Sequence, residues 1–145
     1  MRLAAIGDNC VDFYEKQGWA YPGGNAVNVA VYGRQLGMDA AYLGWIGTDN
    51  FGDMMQEKLK EQDVETVRMQ RKQGKTAITY IELLDGDRKF GEDFLNVLEG
   101  FQVSDGDLQY LAGFLNKALE GEPLKRCMEA GAKKAALTIS HFGAW

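Results

Sequence analysis

Between residues 22 and 37 the chain runs Pro22-Gly23-Gly24-Asn25 straight into an apolar stretch, Ala26, Val27, Val29, Ala30, Val31 and Leu36, and stops at Gly37. A helix starting at Ala26 that is apolar on most of its faces has to pack deep against a sheet, and Gly37 supplies its left-handed stop. The two glycines ahead of it let the backbone approach a ligand closely. The free N–H groups and the dipole of the helix start favour an oxygen-rich or anionic partner. The first expectation is therefore a binding turn at the entrance to a buried helix.

The neighbouring segments supply the sheet. Leu3 to Gly7 is a short apolar run without helical period and reads as a buried strand of a parallel sheet. Asp8 and Asn9 fall at its carboxyl end, where open α/β sheets bind ligands. Val11 to Tyr21 reads as one or two edge strands and Ala40 to Gly47 as a second buried strand. Asn50 is the expected cap of a further helix, with Asp53 in its first turn and Phe51, Met55 and Leu59 facing inward. This βαβα order predicts a parallel sheet with right-handed crossovers. Thr76 to Leu84 is rich in β-branched and aromatic residues, turns at Asp85-Gly86 and continues through Arg88 to Phe90, which is a hairpin pattern. It predicts either a lid over about residues 67–92 or an antiparallel edge of the main sheet.

In the last third, Ser104 and Asp107 are the expected caps of a helix with Leu108, Leu111, Leu115 and Leu119 inward. Pro123 opens a second helix with Leu124, Cys127, Met128, Ala132, Ala135 and Ile139 as its inner stripe. The expected architecture is α/β: a parallel βαβα sheet with a β-hairpin lid over 1–103, and a pair of C-terminal helices over 104–145 belonging to the same domain.

Composition narrows the function. A length of 145 residues suits one compact domain, and 46% hydrophobic with 26% charged residues fits a globular protein. A net charge of −5 argues against nucleic acid as a partner. Lys125-Arg126 and Lys133-Lys134 lie at helical spacing and read as solvated faces. Cys10 and Cys127 are isolated thiols without metal-ligand spacing. The run Leu3 to Ile6 is too short for a signal peptide or a membrane span, so a cytoplasmic location without a membrane partner is expected. His141, the only histidine, has no catalytic partner at a recognisable spacing and reads as structural.

The glycine turn continues as Gly23-Gly24-Asn25-Ala26-Val27-Asn28-Val29-Ala30, with Gly37 and then Gly47 following at intervals of seven and ten residues. With Asp8-Asn9, Asp12 and Gly47-Thr48-Asp49-Asn50-Phe51-Gly52 around it, this pattern resembles the first signature of the PfkB-type, ribokinase-like carbohydrate kinases. Ile6 to Asp12, the stretch through Val31-Tyr32, Asp87-Arg88-Lys89-Phe90-Gly91 and Gly143-Ala144-Trp145 look most like the fructoselysine kinases of that family. The resemblance implies ATP-dependent phosphorylation, with Mg, of a sugar or fructosamine hydroxyl. It implies that Asp8 and Asp12 accept hydrogen bonds from the sugar, that Gly23, Gly24, Asn25 and Asn28 line its pocket, and that Arg88 and Phe90 sit on a lid above it.

Two departures accompany the resemblance. The βα units that make the family's nucleotide site have no counterpart among these residues. Ala112-Gly113-Phe114-Leu115 looks like the tail of the family's second signature, and counting back puts Leu108 where that signature has its catalytic Asp. Leucine cannot act as a general base. Asp107 is one residue away, a rotation of about 100 degrees on a helix, and is a weak candidate to replace it. A non-catalytic module that binds sugar or pairs with another subunit is the alternative, and exposed sheet edges predict a homo-oligomer rather than a monomer.

Overall fold

The computed structural model describes residues 1–103 and 105–138. It divides into two compact units, one of Ala5–Phe101 and one of Met1–Ala4 with the chain from Gln102 onward.

The larger unit contains the end of β1 (Arg2–Ile6), then β2 (Cys10–Tyr14), β3 (Trp19–Gly23), α1 (Asn25–Gln35), β4 (Asp39–Leu43), β5 (Trp45–Gly47), α2 (Asn50–Glu61), β6 (Gln70–Lys72), β7 (Ile78–Leu84) and β8 (Asp87–Phe94). Just past β1, Gly7 N–H donates to Leu43 O at the end of β4 (3.1 Å). Ala41 forms a parallel bridge with Glu65, and β5 pairs in parallel with β6. The single strand expected over 40–47 is split at Gly44, where a Cβ would lie 2.7 Å from Gly7 O.

A separate four-stranded sheet has the order β3-β2-β7-β8. β2 runs antiparallel to β3 and parallel to β7, and β7 runs antiparallel to β8. The hairpin is thus no edge of the parallel sheet, because it joins β2 and β3 in a sheet of its own. Its turn carries positive φ at both Asp85 (52°) and Gly86 (84°), as tight two-residue hairpins require.

One face of this sheet, with Val11, Phe13, Ala20, Ile78 and Tyr80, packs into the core formed with Val27, Ala30, Tyr42, Ile46, Met55 and Leu59. Phe51, Met55 and Leu59 line the inner side of α2 as expected, with Phe51 partly buried. The helix is capped by Asp49 rather than Asn50, because the Asp49 carboxylate accepts from Gly52 N–H (3.0 Å) three residues on. α1 begins at Asn25 rather than Ala26, since β3 extends through Pro22 and Gly23 and only Gly24 makes the turn. Nor is α1 buried on most faces. It buries Ala26, Val27, Ala30 and Gly33, while Val29, Tyr32 and Leu36 are 50%, 60% and 77% exposed. The sheet covers one side of the helix only.

In the smaller unit, α3 (Asp105–Leu119) and α4 (Leu124–Thr138) are joined through Gly121, with φ +80°. The packed side of α3 carries Tyr110 and Phe114, and that of α4 carries Cys127, Gly131 and Ala135. Cys127 and Ala135 belong to the expected stripe of α4, but the stripes are corrected at Leu108, Leu115, Leu119 and Ala132, which are all exposed. The reason is close approach of the two backbones. A Cβ on Gly113 would stand 2.7 Å from Ala130 O, and one on Gly131 2.7 Å from Tyr110 O. Helices that meet at glycines pack along the glycine face, whichever face holds the leucines. Ser104, Ile139, His141 and Gly143 to Trp145 lie outside the described residues. No described helix is long and apolar enough to cross a membrane.

Candidate functional site

The turn from β3 into α1 is built around Gly24. Its φ of +100° suits glycine alone, and a Cβ there would come within 2.5 Å of Asn9 Cα. Gly24 offers no capping side chain, so the first amides of α1 need another acceptor. Asp8 supplies it: its two carboxylate oxygens accept from Asn25 N–H (2.9 Å) and Ala26 N–H (3.2 Å). The oxygen-rich partner expected at this helix start is therefore internal. Asp8 remains exposed, with acceptor capacity left for a ligand beside the turn.

Asn9, next to it, is buried instead. Its Nδ2 donates to Tyr42 Oη (2.9 Å) and to Trp45 O (2.6 Å), and the Tyr42 hydroxyl donates to Gly7 O (3.0 Å). Burial holds the Tyr42 hydroxyl well above its ordinary pKa. This network ties the carboxyl end of β1 to β4 and β5, beneath the exposed Asp8.

Asp12 stands above Gly23. A Cβ at Gly23 would meet Asp12 Oδ1 at 3.0 Å and Cys10 Sγ at 3.2 Å, so glycine leaves the space between lid strand and turn open. Cys10 Sγ donates to Asp12 Oδ1 (3.4 Å). Burial, with the charge of Asp12 added, pushes the Cys10 thiol up to about 12. Such a thiol stays protonated and is no nucleophile.

The structure thus brings Asp8, Asp12, Gly23, Gly24 and Asn25 together. Asn28 lies elsewhere, lining a cavity of about 220 Å³ with Val27, Tyr32 and Lys58. Arg88 and Phe90 are exposed on β8, opposite Leu83 and Ile81. The ladder puts Phe90 on the same face as Asp12, farther towards the tip. Asp107 is the third residue of α3, in the other unit.

A cavity of about 570 Å³ contains none of the expected residues; Asp49, Phe51, Lys75, Thr76, Tyr80 and Phe94 are among its walls. Its polar groups are engaged with one another. Thr76 N–H and Oγ1–H donate to Asp49 (3.1 and 2.6 Å), and Thr76 Oγ1 accepts from Gly47 N–H (3.0 Å). Burial raises the Asp49 carboxyl, but the hydrogen bonds from Thr76 and Gly52 outweigh it and hold the group below its ordinary range. These bonds fasten β7 to α2. The sequence had pointed to Asp49 only as part of the flanking pattern, since Thr76 lies 27 residues away.

The pattern of the pfkB family carbohydrate kinases matches residues 2–100. The chain belongs to that family. It is 41% identical over 112 residues to the fructoselysine 6-kinase of Escherichia coli K12, an alignment covering 77% of this chain and 43% of that protein. It is 38% identical to a fructosamine kinase of Bacillus subtilis over 62% of this chain and 32% of the relative. This member of the pfkB family thus spans less than half the length of the curated relatives it matches. Among solved structures, the fructokinase of Xylella fastidiosa with bound ATP is similar at 29% identity and a TM-score of 0.58, over 73% of this chain and 36% of that one. The fold also matches the fructokinase of Halothermothrix orenii over 94% of this chain and 55% of that one, at 20% identity and a TM-score of 0.62. The ribokinase-like architecture follows from these matches.

Proposed function

We propose that residues 1–103 form the sugar-binding half of a kinase that phosphorylates a hydroxyl of a sugar or fructosamine, with fructoselysine-like compounds as the substrate class. The observation that carries it is Asp8 seated on the start of α1 beside Gly23, Gly24 and Asp12. Carboxylates and open backbone at the ends of strand and helix are the usual means of orienting a polyol. The names of the relatives, fructoselysine 6-kinase and fructosamine kinase, support the substrate class. In this reading Asn25 and, one helical turn on, Asn28 are counted with this pocket, and Arg88 and Phe90 contribute from the outer strand of the lid.

ATP and a divalent metal are the expected co-substrate and ion of such a reaction. Among the described residues, no three His, Cys, Asp or Glu side chains converge on a metal site. No phosphoryl-transfer step is therefore assigned to these residues. The exposed Leu108, at the position where the family resemblance implies a catalytic Asp, favours the second reading, a module that binds sugar or pairs with another subunit without catalysis. Pairing has a candidate surface in Trp19, Tyr21 and Phe90 of the lid, each more than half exposed.

The test is calorimetric titration of the chain with fructoselysine and fructose, alongside ATP turnover with Mg²⁺. Sugar binding without turnover is the expected result for the chain by itself. Turnover would show that Asp107 or a partner subunit supplies the base, and absence of binding would overturn the sugar pocket. Light scattering on the same sample should give a mass above that of a monomer.

A further inference from the structure

Asp8, the carboxylate on which the sugar reading depends, is exposed, but the residues on both sides of it are anchored beneath it. Gly7 N–H donates to Leu43 O (3.1 Å), and Gly7 O accepts from the Tyr42 hydroxyl (3.0 Å). Asn9, 1% exposed, donates from Nδ2 to Tyr42 Oη (2.9 Å) and to Trp45 O (2.6 Å). One buried hydroxyl thus links the peptide before Asp8 to the side chain after it. Burial raises its pKa, so it stays a donor at any ordinary pH. Two glycines leave room for the arrangement: a Cβ on Gly44 would run into Tyr42 Oη, and one on Gly24 would lie 2.5 Å from Asn9 Cα.

Stability by itself does not account for an amide in that place. Asn9 Oδ1 is buried and has no hydrogen-bond partner among the described residues. The amide cannot turn round to find one, because Trp45 O only accepts and needs Nδ2 facing it. An unpaired buried acceptor costs free energy, and an apolar side chain of similar size would avoid that cost. What an apolar residue could not do is tie the end of β1 to Tyr42 and Trp45. The unpaired oxygen therefore marks a residue whose value lies in what its Nδ2 positions.

We propose that Asn9 and Tyr42 are positioning residues of the sugar site, which hold the chain from Gly7 to Asn9 so that the Asp8 carboxylate stays seated on the start of α1 and meets the sugar hydroxyls without first being ordered. The inference rests on the sugar-pocket reading above and adds the support that gives its carboxylate a fixed place. Binding to a group already in place avoids the entropy of immobilising it, which is how buried residues that touch no ligand alter affinity. Asp8 on a loosened strand end could reach the same hydroxyls, but each complex would then carry the cost of ordering it.

The experiment compares the full chain with its Asn9→Leu and Tyr42→Phe variants, and with Thr76→Val as a control that loses buried hydrogen bonds away from the turn. Calorimetric titration with fructoselysine and with fructose gives the affinities, and the amide proton resonances of Asn25 and Ala26 report whether Asp8 still caps α1. Each of the first two variants should bind both sugars about tenfold more weakly, since the sugar part is common to the two ligands, and should shift both resonances. Thr76→Val should lower the urea midpoint and leave affinities and resonances in place. Weakened binding in Thr76→Val as well would overturn the positioning role, because general loosening would then suffice. Unmoved resonances or unchanged affinities in the first two variants would overturn it too and leave the sugar pocket standing. No binding of either sugar to the unaltered chain would overturn the pocket and the positioning role together. Should circular dichroism show Asn9→Leu unfolded, Tyr42→Phe, which removes one oxygen and keeps the ring, decides the matter.

Discussion

The two compact units hold their shape by different means. In Ala5–Phe101, polar side chains at the ends of elements fasten one segment to another: Asp8 to α1, Asn9 to β5, Asp49 to β7. In the helical pair, a glycine-lined crossing with Tyr110, Phe114 and Cys127 buried at its centre does the same work. The difference shows which residues tolerate change. In the larger unit, the sensitive positions are the backbone turns and their acceptors. In the smaller one, they are the glycines, while Leu108, Leu115 and Leu119 face solvent.

The largest expected effect is at the site turn. Gly24→Ala adds a Cβ 2.5 Å from Asn9 Cα at a φ of +100° and should destabilise the larger unit by about 3 kcal/mol or more. Hydrogen exchange read by mass spectrometry should show protection lost in α1 and β4 and kept in α3 and α4. Protection lost in both units alike would mean that they unfold as one, and the comparison would fall.

Removing the acceptor in Asp49→Ala costs the α2 cap and both Thr76 bonds, about 2 kcal/mol. This contribution depends on pH. The carboxyl lies below 3.8 in the folded chain, so its stabilisation is fully present above about pH 4 and is lost as pH falls through the lower folded value. Acid unfolding of Asp49→Asn should therefore lack that part of the pH dependence. An unchanged acid profile would remove Asp49 from the list of fasteners.

In the helical pair, Gly131→Ala gains about 1 kcal/mol of helix propensity but forces a methyl group to within 2.7 Å of Tyr110 O. Overpacking of that kind costs up to about 3 kcal/mol, so a net loss of about 2 kcal/mol is expected, confined to α3 and α4. A stabilised variant would show that the crossing is loose. The smallest effect belongs to Leu119→Ser, at a residue 88% exposed, which should move stability by no more than about 0.5 kcal/mol in urea unfolding. A large loss there would restore the leucine stripe as the packing face.

Much of the larger unit was legible because its signals are local. The hairpin followed from Asp85-Gly86, the stop of α1 from Gly37, the inward stripe of α2 from Phe51, Met55 and Leu59, and the turn into α1 from Gly23-Gly24. Each depends on a conformational limit or a period within one segment. The errors arose where two segments meet. Helical period could not say whether the leucines or the glycines of α3 face α4, because each lies on a regular stripe and only the partner's backbone selects one. The pairing of Asp12 with Thr79 was not legible either, since nothing 67 positions farther along the chain marks it until the strands align.

By itself, the sequence determined the class of fold, the family and the turn around which the site is built, because glycine conformation, hairpin chemistry and apolar period act over a few residues. Only the tertiary structure decided that the hairpin joins β2 and β3 in a sheet of its own, that the start of α1 is capped by Asp8, and that β2 runs parallel to β7. Those facts are set by strand register and hydrogen bonds between distant segments, and local preference does not encode either.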